Sequence, residues 1–353
     1  MKILITGGAG FVGSSLCIKL KERYPHYSIT AFDNLKRRGS ELSLIHFKKI
    51  GVDFVHGDIR NAEDLEAVKD FDVLIEASAE PSVLAGLNTN PNYVINNNLM
   101  GSINCFNACS KTGANLIFLS TSRVYPVGAI EKANFTENDT RFLFDAKQLE
   151  KGISDKGVSE ELNLTGYRSF YGATKLASEF LIQEYEKFYG VKSAVTRFGV
   201  IAGPRQMGKT DQGVVTLWMA KHFWKQQLKY IGYGGAGKQV RDILHIDDLV
   251  ELVDMQIHKP NLFSGKIFNA GGGLKSSASL QEMTTICQEI TGNKIVIDSE
   301  IENRPADLRI YITDNTKIIS EIGWSPKKGV KDVFVDVFNW IRDNEESLKP
   351  ILA

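Results

Sequence analysis

A short apolar run, Lys2-Ile3-Leu4-Ile5-Thr6, passes directly into Gly7-Gly8-Ala9-Gly10-Phe11-Val12-Gly13 and then into a helical stretch from Ser14 to Arg23. Strand, glycine turn, helix is the most restrictive statement this chain makes about its own fold. In such a turn Gly7 permits the tight bend, Gly10 lets the backbone approach a pyrophosphate, and Gly13 allows close helix packing, with the phosphates at the positive helix N-terminus. A second strand, Ser28 to Phe32, follows the helix and ends at Asp33, roughly 20 residues on, as a dinucleotide fingerprint requires. A carboxylate at Asp33 accepts hydrogen bonds from the adenosine ribose hydroxyls and repels a 2′-phosphate, so the cofactor expected is NAD rather than NADP. Lys36, Arg37 and Arg38 are nearby cations that would greet a phosphate, or else line a solvated loop.

Further along, Asp53 to His56, Val73 to Glu76, Leu116 to Leu119 and Ala194 to Arg197 read as short buried strands. Helical patterns over Ala62 to Val68, Tyr93 to Lys111 and Tyr171 to Tyr189 separate them. Such alternation predicts an α/β fold, a doubly wound parallel sheet whose ligands bind beyond the carboxyl ends of the strands. Polar signals gather at those ends: Asp58, then Ala77-Ser78-Ala79-Glu80, then Ser120-Thr121-Ser122. After about Arg205 the pattern is mixed, with a helix from Val214 to Lys225 and a hairpin-like glycine loop from Gly232 to Gly237. Residues 1–205 are therefore expected to be mainly the dinucleotide-binding domain. Residues 206–353 are expected to be mainly a smaller, interleaved α/β substrate-binding lobe, with some segments returning to the first domain.

The chain's 353 residues can bury a large core, and 42 Lys and Arg against 42 Asp and Glu leave no basic footprint for nucleic acid. No apolar stretch is long enough to span a bilayer. Because the first residues already form the nucleotide-binding strand, no cleavable signal is expected and the cytoplasm is the default location. The four cysteines show no paired framework, and Cys105 and Cys109, on one helix face of an apolar run, read as core rather than metal ligands.

Tyr171 and Lys175 lie one helical turn apart in Tyr171-Gly172-Ala173-Thr174-Lys175, and side chains at i and i+4 share a face. An ammonium held beside a phenol favours the phenolate, and such a tyrosine can take a proton from a sugar hydroxyl.

With Gly7 to Gly13, Asp33, Thr121, Tyr171 and Lys175 together, nearly the whole chain resembles the extended short-chain dehydrogenase/reductases that act on nucleotide sugars. Gly237-Lys238-Gln239-Val240-Arg241-Asp242 through Leu249 looks like the family's diphosphate-gripping segment. Arg304-Pro305-Ala306-Asp307 and Glu321-Ile322-Gly323-Trp324-Ser325-Pro326 look like its C-terminal signature. The resemblance implies that Thr121, Tyr171 and Lys175 are catalytic. It implies a cofactor site made by Gly7, Gly10, Phe11, Val12, Gly13, Asp33, Asn34, Asp58, Ile59, Ala77, Ser78, Ala79 and Asn98, with Tyr171 and Lys175. For Asn98 an N-cap role is the alternative. Substrate is assigned to Ser82, Thr121, Gln206, Gln212, Arg241 and Arg304, the two arginines flanking a diphosphate that suits a guanidinium fork. No metal is implied.

Within the family, 4,6-dehydratases carry an Asp-Glu pair directly after the Thr121 position, whereas this chain has Ser122-Arg123, neither of which readily serves as a carboxylic acid. Epimerisation is thus the expected reaction. Phe32-Asp33-Asn34-Leu35, Phe54 to Asn61, Asp211-Gln212-Gly213 and the long insertion from Pro126 to Phe170 look like the branch that inverts carbon 2 of CDP-linked deoxysugars. A 4-epimerase or, at greater distance, a dehydratase of another nucleotide sugar remains open, as does a non-catalytic NAD-sensing protein. Glu76 stands where many relatives have His, and Val200 where many carry Asn. The implied mechanism is oxidation to a keto sugar and return of the hydride to its other face, the sugar pivoting while Arg241 and Arg304 hold the diphosphate. Relatives often pair through their helices, which implies a homodimer or homotetramer.

Overall fold

The computed structural model describes the chain apart from residues 88, 210 and 211, so Asp211 of the motif above lies outside the described residues. Seven strands join in one sheet: β1 (Lys2–Thr6), β2 (Ser28–Asp33), β3 (Asp53–His56), β4 (Val73–Glu76), β5 (Asn115–Thr121), β6 (Ser193–Phe198) and β7 (Ile267–Ala270), in the order β7-β6-β5-β4-β1-β2-β3. The pairings β1–β2, β1–β4, β2–β3 and β4–β5 are parallel. The order reverses between β1 and β4, and in a doubly wound sheet ligands bind at that switch point. Ile3, Leu4 and Ile5 are all buried, as expected for a strand covered on both faces. Leu4, Phe32, Leu74, Leu116 and Phe118 form one apolar cluster with Phe106, Cys105 and Cys109. All four cysteines are buried and unpaired. The seventh strand escapes the sequence pattern because it is short and runs into Gly271-Gly272-Gly273.

Three helices position the candidate site. Helix α1 (Phe11–Arg23) starts inside the glycine turn, so Gly13 lies in its first turn. Helix α2 (Gly101–Thr112) follows a single turn at Asn92–Ile95 and a wide π turn at Asn96–Met100, which breaks the continuous helix expected from Tyr93 to Lys111. Helix α3 (Phe170–Tyr189) is capped by Ser169, whose hydroxyl accepts from the Gly172 amide, and stops at Gly190 in a left-handed conformation.

Two units emerge from the contacts: residues 1–124, 169–197 and 249–268 form the first, and residues 125–168, 198–248 and 269–353 the second. The insertion after β5, which the sequence boundary at 205 puts with the nucleotide-binding half, groups with the second unit. Its reason is a short hairpin, Phe135–Glu137 with Phe142–Phe144, whose Arg141 grips Glu282 and donates to the Ser277 carbonyl at 2.7 Å. The second unit has its own sheet around Val240–His245, flanked by Val200–Ala202, Ser277–Ser279 and Ile310–Tyr311. The glycine loop at 232–237 is not a hairpin: the strand before it, Leu228–Ile231, pairs with Ile297–Glu300 instead. Helices α4 (Val214–Phe223), α5 (Leu280–Thr291) and α6 (Val330–Asp343) pack together in this unit. Among the described residues, no helix is long and apolar enough to cross a membrane.

Asp242 in the central strand of that sheet is fully buried, with glycines at 199 and 271 making room for it; a Cβ on Gly271 would lie 2.0 Å from its Oδ2. Burial pushes its carboxyl up to about 6, against the opposing pull of Thr313 and the Gly273 amide. A raised folded-state value means that its favourable contribution is complete below its unfolded value and is lost as pH rises through about 6. Asp242→Asn should therefore gain stability relative to wild type between pH 5 and pH 7.5, by about 1–3 kcal/mol. Urea melts across that range check it, and a pH-independent difference would contradict it.

Candidate active site

At the β1–β4 switch point two backbones touch. Gly7 has φ +65°, and a Cβ on it would meet the Ala77 carbonyl oxygen at 2.7 Å. A Cβ on Gly13 would meet the Gly7 carbonyl oxygen at 2.1 Å, so α1 can approach the turn only as glycine. Gly10 sits extended at the N-cap, and no side chain caps α1, leaving the amides of its first turn, around Phe11 and Val12, available to an anion. Ala77, Ser78 and Ala79 leave β4 beside this turn. The donor set and the glycine cradle fit the pyrophosphate of a dinucleotide.

Asp33 closes β2, accepting from the Ala9 amide at 3.1 Å and the Leu35 amide at 2.8 Å. Burial raises its carboxyl above the ordinary value even though those amides pull the other way. Asn34 donates to Asp58 at 2.9 Å, and Asp58 receives Arg60 on both oxygens, which holds its carboxyl well below the usual range. Lys36 rests 3.3 Å over the Tyr93 ring, a cation–π contact that gives one of the three nearby cations a local partner. Two expected cofactor residues have other tasks. The Ile59 side chain belongs to the apolar core, filling the space over Gly101. Asn98 is fully buried, accepting from the Glu80 amide at 2.7 Å and donating to the Glu80 carbonyl at 3.0 Å. It braces the loop after β4. In that loop Ser82 is buried and its Oγ accepts from the Leu84 amide.

Thr121 ends β5 at the carboxyl edge, and its Oγ1 accepts from the Arg123 amide at 3.2 Å, which leaves the hydroxyl proton to donate. Helix α3 packs against β5 and the following turn Ser122–Val124. Tyr171 is half-buried in the first turn of α3, and Lys175, one turn on, is buried. Lys175 Nζ lies 2.9 Å from Glu76 Oε2 at the end of β4 and 4.2 Å from the Phe118 ring centroid. A third residue on this face, Glu179, escaped the sequence reading. It takes the Ser120 hydroxyl at 2.5 Å and a guanidinium fork from Arg197, 2.7 Å at the closest, all buried. The repeat Tyr171, Lys175, Glu179 was the signal available: three polar residues on one helix stripe.

The second unit brings Arg241 and Arg304 to one turn. Arg241 Nη2 donates to Asp307 Oδ1 at 2.6 Å, and the Asp307 amide donates to the Arg304 carbonyl at 3.3 Å. Gln206 donates to the Ile201 carbonyl and accepts from Thr216, and Gln212 pairs through its backbone with Lys209.

Comparison with known proteins follows the same line. The model of the NAD dependent epimerase/dehydratase family matches residues 3–271. A CDP-paratose 2-epimerase from Salmonella typhi is 30% identical over 96% of this chain and 99% of its own length. A dTDP-glucose 4,6-dehydratase from Mycobacterium tuberculosis is 25% identical over 99% of this chain and 96% of its own. The crystal structure of a UDP-glucose 4-epimerase from Thermotoga maritima with UDP-glucose superposes with a TM-score of 0.77, at 25% identity over 98% of this chain and 100% of that one.

Removing one partner of a buried ion pair strands the other charge, so Glu179→Ala should cost about 3–5 kcal/mol. Adding Arg197→Ala should cost little more. Urea denaturation of both variants measures this, and a loss below about 1 kcal/mol for Glu179→Ala would contradict the anchoring role.

Proposed function

The chain belongs to the NAD-dependent epimerase/dehydratase family, and from that premise we propose that it is a nucleotide-sugar epimerase inverting carbon 2 of a CDP-linked deoxysugar. The observation that carries the reading is the set at the carboxyl edge: Thr121 with Ser122-Arg123 after it, and Tyr171 and Lys175 on the helix packed against that turn. Eliminating water from a sugar calls for a carboxylic acid and base beside the hydroxyl donor. Ser122 and Arg123 supply neither, which supports epimerisation over dehydration.

NAD, when bound, accepts the hydrogen of the oxidised carbon with its electron pair and gives it back. Gly7, Gly10 and Gly13 with the first-turn amides of α1 would hold its pyrophosphate, and Asp33 its adenosine ribose. Tyr171 would take the proton from the sugar hydroxyl and return it after the sugar has turned. Thr121, its oxygen already occupied by the Arg123 amide, donates to the same sugar oxygen. The Lys175 ammonium would hold the nicotinamide ribose with the donors that Glu76 leaves available. Arg241 and Arg304 hold the diphosphate as the pivot, Arg241 sharing its guanidinium with Asp307. The CDP preference rests on the 30% identity to the Salmonella typhi protein. Exposed Phe180, Phe188 and Tyr189 on α3 support pairing of two copies through this helix.

A thermal-shift panel of CDP, UDP, GDP and dTDP tests the reading, because a ligand that binds only the folded state stabilises it, by about 2.7 kcal/mol at a hundredfold excess over Kd. CDP should give the largest shift, and Arg241→Ala should weaken all four responses alike. A panel led by UDP or dTDP would overturn the CDP assignment and favour a 4-epimerase of another nucleotide sugar.

A further inference from the structure

Among the described residues Lys175 is the only lysine in the set of largest fully buried side chains, and the group that meets it is a carboxylate as deeply buried as itself. Glu76 and Phe118 are register partners on adjacent strands β4 and β5, so together they make a cross-strand seat. One side of the ammonium meets Glu76 Oε2 at 2.9 Å and another meets the face of the Phe118 ring. An ammonium has three donors and Glu76 takes one, so the others stay available. The Ser78 backbone amide also faces the Glu76 carboxylate, while Oε1 is buried with no hydrogen bond of ordinary geometry among the described residues. A pair kept only for stability would satisfy both oxygens or be replaced by apolar side chains at no loss.

From this geometry we infer that Glu76 is a positioning residue, which acts through Lys175 by holding its ammonium at the carboxyl edge before cofactor and sugar arrive. The inference rests on the catalytic role proposed above for Tyr171 and Lys175. Without Glu76 the lysine stem has no fixed end, and ordering it costs rotamer freedom each time the site is used. The expected consequence falls on the cofactor and on turnover, and not on capture of the sugar nucleotide, whose diphosphate is assigned to other residues.

The test is a double-mutant cycle of Glu76→Gln and Lys175→Met, read by the rate at which NADH leaves the protein, followed by its fluorescence, and by the split between kcat and KM for the sugar nucleotide. Glu76→Gln should speed NADH loss and lower kcat by about tenfold, a coupling of ordinary size for groups in contact, with KM changed by less than about twofold. The double variant should be no worse than Lys175→Met alone. Effects that multiply, or wild-type NADH retention and turnover in Glu76→Gln, would overturn the inference. Should Glu76→Gln fail to fold, Glu76→Asp keeps the charge but withdraws it by one methylene, and it too should lower kcat at unchanged KM; wild-type turnover there would overturn the inference equally. Tyr171→Phe belongs in the same series: if it retains turnover, the proposed function falls, while the NADH cycle still reads Glu76.

Discussion

A buried ammonium organises the carboxyl edge of the main sheet. Lys175 is 1% exposed, and a cation so far from water is tolerable only beside a counter-charge. Glu76 supplies that charge from the last residue of β4, and Phe118 supplies a ring face from the next strand. To reach them, the first two turns of α3 must lie over the ends of β4 and β5. The helix is fixed there twice more: by the Ser169 cap at its start, and by Glu179 bound to Ser120 and Arg197 one turn beyond the lysine. Tyr171 owes its place in the site to these anchors, because a first-turn residue goes where its helix is held.

The second constraint is steric and sits one strand away. Gly7 and Gly13 are in contact at a distance that no β-carbon survives, and Gly7 presses on the backbone leaving β4. Register joins the two features: Thr6 pairs with Glu76 and Glu76 with Phe118 across three neighbouring strands. The dinucleotide turn, the lysine seat and the end of the Thr121 strand are therefore set by one row of backbone hydrogen bonds. That economy explains how residues spread over more than a hundred positions of sequence become one chemical site.

Much of this was legible in the sequence. The strand–turn–helix glycines, Asp33 and the i,i+4 pair of Tyr171 and Lys175 carry their meaning in local spacing, and local spacing survives folding. What escaped depends on long-range partners. Glu76 stood out only as a departure from the His of many relatives, and its meaning appears only when Lys175, 99 residues later, arrives. Glu179 and Arg197 are likewise ordinary charges until they are buried together. The side-chain contacts of Asn98 and Ile59 were equally invisible in the motif: one holds the Glu80 backbone, the other packs in the core. The hairpin expected at residues 232–237 failed because glycines mark a bend without saying which strand pairs afterwards.

At its centre the account holds that Tyr171, Lys175 and NAD act as a reversible redox device on a single sugar carbon. A hydrogen that leaves and returns with its electron pair does not exchange with solvent, whereas a carbon deprotonated to an enolate takes its hydrogen from water. The direct measurement is to run the reaction in heavy water and examine the product by NMR and mass spectrometry. The inverted carbon should keep its original hydrogen. Stoichiometric deuterium at that carbon would contradict the roles given to Thr121, Tyr171 and Lys175.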